Sequence, residues 1–146
     1  MTTHMWAIII GGVVPALLYG ISGVFQKSSS QAGIGIAPYL IFIAVGVMLA
    51  GAVFLFFTPD RTVSPRSGIF ATLLGLSWGL GMGLVAVALT FYSTPLSRLV
   101  PLYNMNTLVA VVLALVVFSE WKEVAVAKLL AGALLIVVGG ILVANS

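Results

Sequence analysis

The 146-residue sequence has no cysteine, one histidine and three acidic residues against six Lys plus Arg. Without cysteine there is neither a disulfide scaffold nor a thiolate metal site. Charged residues make up 6% of the chain, where a soluble domain carries roughly 25%. So few charges cannot coat a globule of this size, which excludes a water-soluble monomer. Disorder is excluded as well, because it requires low hydrophobicity and high net charge. The formal net charge of +3 comes from scattered cations, not from the clustered basic face that nucleic-acid binding needs. Strands that alternate apolar with polar residues, the signature of a membrane barrel, are also missing.

What the sequence has in abundance is apolar residues, 62% of the total. They form five runs: Met5 to Phe25, Ile36 to Phe57, Ile69 to Phe91, Leu96 to Phe118 and Val126 to Ala144. Each run approaches the ~20 residues an α-helix needs to cross a hydrocarbon core. The expectation is an all-α membrane protein with one transmembrane domain over 1–146 and helices at about 5–26, 36–57, 68–92, 96–118 and 126–144. The first run is read as a retained helix, because Met1-Thr2-Thr3-His4 carries no Lys or Arg and the run exceeds a signal-peptide core. His4, in the tail before it, is expected to be inert. The longest polar connection is Thr58 to Ser67, too short for a soluble domain.

Orientation follows from the loops. Arg61, Arg66, Lys122 and Lys128 fall on the side of the amino terminus, and Lys27 and Arg98 on the other. By the positive-inside rule this places the amino terminus in the cytoplasm, in a multi-pass protein of a bacterial or archaeal cell membrane. The bias is small enough to be compatible with insertion in both orientations.

No Asp or Glu lies within an apolar run, so no buried carboxylate is available to carry a proton. A convergent nucleophile and base, a metal-ligand cluster and a phosphate-cradling glycine loop are equally missing. Neither an enzyme, nor a bound metal, nor a cofactor is expected. Other features within the runs do point to chemistry. Pro15 and Pro101 interrupt the helical hydrogen-bond ladder and are expected to kink their helices. Next to Pro101 stand Tyr103, Asn104, Asn106 and Thr107. Asn104 and Asn106 are about 200° apart on a helix, whereas Tyr103, Asn106 and Thr107 share a face. A polar face beside a proline at membrane depth reads either as a cavity wall or as a site of hydrogen bonding between helices.

Tyr19 and Ser22, with Gln26 one turn on, make a second polar stripe, in the first helix. Ser77 and Trp78 lie near the middle of the third, where Trp either fills the core or walls a cavity. Gly75, Gly79 and Gly83 recur every four residues, a flat stripe for close helix approach within the bundle or between subunits.

The stretch Phe91-Tyr92-Ser93-Thr94-Pro95-Leu96-Ser97-Arg98-Leu99-Val100-Pro101 resembles the EamA repeat of the drug/metabolite transporter superfamily. Glu120 at the end of the fourth helix and Gly132 and Gly139 in the fifth fit the same pattern. Leu18-Tyr19-Gly20 stands where many members have Trp-Gly. The resemblance covers about residues 5 to 144, one whole repeat. It implies a transporter of a small metabolite or drug-like solute working by alternating access, in which two repeats of opposite orientation surround a cavity lined by the first, third and fourth helices. A chain with a single five-helix repeat would meet that arrangement as an antiparallel homodimer of ten helices. Proton coupling through a first-helix glutamate, known in small multidrug antiporters of the superfamily, has no counterpart here. The expected partners are therefore the lipid bilayer, a small solute and a second copy of the chain, with no nucleic acid. The alternatives are a non-transporting membrane subunit and one half of a heterodimeric transporter or lipid-carrier flippase.

Overall fold

The computed structural model describes residues 2–122 and 124–145, and the backbone alone of His4. Its elements are α1 (Thr3–Ile8), a π-helical turn (Ile9–Val13), α2 (Val14–Gln31), α3 (Ile36–Phe57), α4 (Pro65–Phe91), α5 (Leu96–Tyr103), α6 (Asn106–Val117), a 3₁₀ turn (Glu120–Lys122) and α7 (Val126–Ala144). The described residues form no strand. Five continuous stretches are long and apolar enough to cross a membrane: Met5–Gln31, Ile36–Phe57, Pro65–Phe91, Leu96–Val117 and Val126–Ala144. This is consistent with a multi-pass membrane protein.

Local chemistry explains several boundaries. The Ser64 side chain accepts a hydrogen bond from the Ser67 backbone N–H at 3.1 Å, and the Ser67 hydroxyl accepts one from the Ser64 N–H at 3.0 Å. With Pro65 as the first helical residue, this reciprocal cap starts α4 several residues before its apolar run. The first span runs past Phe25, through the polar segment Gln26-Lys27-Ser28-Ser29-Ser30, to Gln31. It ends where Gly33 takes a positive φ of 84°, a conformation open to glycine without steric cost. His4 belongs to α1, not to a tail.

Both prolines leave a mark. Pro15 has no N–H to offer the carbonyl four residues back. The preceding turn widens, and the Val14 N–H donates five residues back to Ile9 O. Pro101 is followed by a break: the Met105, Thr107 and Leu108 N–H groups donate to Leu102, Asn104 and Met105 O, each three residues back. This tightened turn separates α5 from α6 inside the fourth span.

The chain divides into two compact units, Met1–Ser93 and Thr94–Ser146. In the first, α2 and α3 each pack on α4. Gly83, Ala86 and Leu89 of α4, Gly23 and Gln26 of α2 and Tyr39 of α3 are buried there. A hydrogen bond of 3.0 Å between the Ser30 and Thr90 hydroxyls ties the end of α2 to the end of α4. In the second unit, α7 packs on both α5 and α6, burying Leu115, Ala133 and Gly140.

Candidate functional site: a cleft on Gln26 and a broken helix

The first unit contains a half-open cleft of about 450 Å³, within the usual range of small-ligand sites. From α2 it takes Ser22, Phe25, Gln26 and Ser29, residues at helical spacings of three and four. Tyr39, Phe42, Ile43 and Gly46 supply the α3 wall on the same logic, and Trp78 and Met82, one turn apart, come from α4. Gly46 has no atom within 4 Å of where a Cβ would stand, so the wall is left open at that point. Ile34, in the connection between α2 and α3, also lines it. Among the described residues, no charged side chain lines the cleft.

Gln26 is the polar centre of this wall. It is 4% exposed, and its Nε2 is buried with no hydrogen-bond partner. An unmet amide donor out of reach of water costs about 1–3 kcal/mol. The Ser22 hydroxyl is already engaged, donating to Tyr19 O at 2.8 Å.

Of the residues singled out from the sequence, Ser22 and Trp78 meet in this cleft. Tyr19 does not line it; its side chain is 72% exposed. Ser77 is exposed beside Trp78 and does not line it either. Gln26 was visible as the end of a polar stripe, but its burial depends on α2 running on past Phe25. Ser29 lies in the segment read as a connection, and Tyr39 sits at the start of an apolar run, so neither gave a signal of its own.

Tyr103, Asn104, Asn106 and Thr107 belong to the second unit, at the break between α5 and α6. Tyr103 and Thr107 are half-buried, while Asn104 and Asn106 are exposed. The shared face expected for Tyr103, Asn106 and Thr107 assumed a continuous α-helix; across the break, Asn106 is exposed where Tyr103 and Thr107 are half-buried.

Compared with known families and proteins, the chain matches no family model, no curated protein and no solved structure.

The glycines divide in the same way. Along α4, a Cβ on Gly83 would meet Leu40 Cδ1 at 3.3 Å, whereas Gly75 and Gly79 have nothing within 4 Å. In α7, Gly132 and Gly139 face open space, and their neighbour Gly140 makes the close approach, to the carbonyl of Pro101. Among the described residues no group of His, Asp or Glu is placed to hold a metal ion.

Proposed function

We propose that the chain is an integral membrane transporter of a small metabolite or drug-like solute, acting by alternating access as an antiparallel homodimer of EamA-like repeats. The observation that carries this reading is the break at Asn104–Met105 in the fourth long apolar stretch. Irregular backbone and polar side chains at membrane depth are tolerated where protein buries them or where they line a water-filled cavity. Secondary transporters use interrupted helices of this kind beside their substrate sites. The wide exposure of large apolar side chains along all five stretches supports insertion into lipid, where such surface carries no transfer penalty.

The test is solute flux into proteoliposomes made with the purified chain alone, read for wild type and for Tyr103→Leu with Asn106→Leu. Saturable flux that falls in the double variant, with the variant still folded, is the expected result. Unchanged flux would remove the fourth helix from the solute path. Topology is checked separately with paired reporters fused after Ser146, one active inside the cell and one outside. Signal from both is expected of a dual-topology chain. A single-sided signal would direct the search to an oppositely oriented partner.

The open face of Gly75 and Gly79 favours a second reading, a non-transporting subunit that seats a partner helix there. Flux by the pure chain would exclude it.

A further inference from the structure

We infer that the exposed face of α6, headed by Asn106, is where a second copy of the chain docks, with the two Asn106 amides pairing at mid-membrane. The inference rests on the membrane-spanning part of the reading above and names the surface at which two copies meet. It does not require transport.

The first observation is an amide without a partner. Asn106 is exposed, and its side chain forms none of the hydrogen bonds of the described residues. Other polar side chains of this chain are satisfied by their own helix. Ser22 and Thr72 donate to the carbonyls of Tyr19 and Gly68, at 2.8 and 2.9 Å. Asn145, at the end of α7, donates to Ile141 O at 3.0 Å. Asn106 opens α6 just beyond the break, and the Leu102 carbonyl four residues back already accepts from the Met105 N–H. Lipid tails have no polar group to offer such an amide, so its partner has to come from another helix.

The second observation is depth. The fourth apolar stretch is Leu96–Val117, so Asn106 has residues 96–105 on one side and 107–117 on the other. A residue at mid-span keeps its depth whichever way a second copy is inserted. An amide carries both donor and acceptor, so two copies of Asn106 complement each other across a two-fold axis. A second copy therefore brings the missing group to the level where it is missing.

The third is the face itself. Val109, Ala110, Leu113, Val116 and Val117 follow Asn106 at helical spacings of three and four, and all are exposed. Leu108, Val111, Ala114 and Leu115, on the other side, are half-buried or buried, and α6 packs on α7. The exposed side carries neither a charge nor a ring. Two such faces can lie together, enclosing the paired amides among aliphatic groups.

The chain has no cysteine, so one introduced cysteine reports on its own copy in the partner. Full-length Val109→Cys, one turn from Asn106, is reconstituted in liposomes and treated with a short bifunctional thiol reagent. Val111→Cys, on the side away from the exposed face, is the control. Val109→Cys should give covalent dimer in a yield that survives several-fold dilution with lipid, and Val111→Cys should give little. No joining, or equal joining of the two, overturns the docking face. So does a Val109→Cys protein that stays single and reacts with a charged, membrane-impermeant maleimide, because water then covers the face.

The amide pair is read from the monomer–dimer balance, with circular dichroism confirming that each variant is helical. Asn106→Leu should shift the balance about tenfold towards monomer, and Asn106→Gln, which keeps the amide, should preserve it. A balance unchanged in Asn106→Leu overturns the pair. Val116→Cys lies about 15 Å along α6 from Asn106, so it joins to its own copy only in a parallel dimer. Such joining would keep the docking face and remove the antiparallel arrangement from the transport reading. Docking without flux would leave this surface and remove transport; flux without joining at Val109→Cys would do the reverse.

Discussion

Gly140 of α7 stands against the backbone carbonyl of Pro101 in α5, so close that a Cβ at position 140 would fall 2.8 Å from the oxygen and 3.3 Å from the carbonyl carbon. That oxygen is released from the usual ladder, because the Met105 N–H donates to Leu102 instead. The contact therefore joins the break in the fourth span to the helix that covers it.

Replacing Gly140 with Ala should force α7 away from α5, because the obstacle is backbone and cannot rotate aside. The expected destabilisation is about 1–3 kcal/mol. Gly139→Ala, with nothing within 4 Å, should change stability by less than about 0.5 kcal/mol. Unfolding of the two purified variants side by side checks this, and equal stabilities would refute the contact.

The pair also shows where the sequence is legible. Run lengths alone reveal the five long apolar stretches, but they put the start of the third at about 68, and it begins at Pro65, where the Ser64–Ser67 cap starts it. Which of two adjacent glycines touches a neighbour depends on rotational phase. The contact is made by Gly140, with Gly139 in open space, a distinction that run lengths and glycine positions do not carry. In the cleft, Ser22 and Trp78 were readable as polar or aromatic residues within apolar runs. Gln26 was readable as the end of a polar stripe but not as buried, and Ser29 was hidden by its polarity, since a string of Gln, Lys and Ser reads as the end of a helix. The helix nevertheless continues, and the Ser30–Thr90 hydrogen bond holds its extension against α4.

Ser93 and Ser119 adopt positive φ angles of 48° and 58°, each just past a helix end. A left-handed conformation costs a residue bearing a Cβ roughly 1–2 kcal/mol. Part of the relief on substitution by Gly is offset by greater freedom of the unfolded chain. Ser93→Gly and Ser119→Gly should each stabilise by up to about 1 kcal/mol, and Gly33→Ala should destabilise by about as much. Thermal unfolding of the three variants gives the signs directly.

Asp60, in the connection between α3 and α4, accepts from the Thr62 hydroxyl at 2.6 Å and from the Thr62 N–H at 2.9 Å. The side-chain bond foremost, and then the backbone bond, hold its carboxyl below the usual aspartate value. A depressed pKa means that the folded state favours the carboxylate. Its stabilising contribution is present above the unfolded pKa of about 3.9 and disappears as the pH falls through the folded value. Asp60 is the chain's one aspartate, so its carboxyl carbon can be titrated by NMR without ambiguity. Thr62→Val should move the midpoint up towards the ordinary value; an unmoved midpoint would mean that the hydroxyl bond is absent in solution.

Gly75 and Gly79 offer bare backbone on α4, whereas Gly83 is occupied by Leu40. If two chains associate along that stripe, Gly75→Leu and Gly79→Leu should each shift the purified protein from dimer to monomer, as read by mass measurement in detergent or nanodiscs. A dimer that survives both changes places the subunit contact elsewhere.

The π-helical turn at Ile9–Val13 has a consequence for everything that precedes it. Each extra residue in a helical turn rotates what lies upstream by about 100°. A helical wheel drawn straight through Met5–Gln31 therefore assigns Trp6 and Ile8 to the wrong side with respect to Ser22 and Gln26. Cysteine-accessibility scans and designed cross-links along this span need two separate wheels, one ending at Ile8 and the other starting at Val14. Removing one residue from Ile9–Val13 would merge the two wheels and turn Trp6 to a new azimuth, with the residues around Gln26 left where they are.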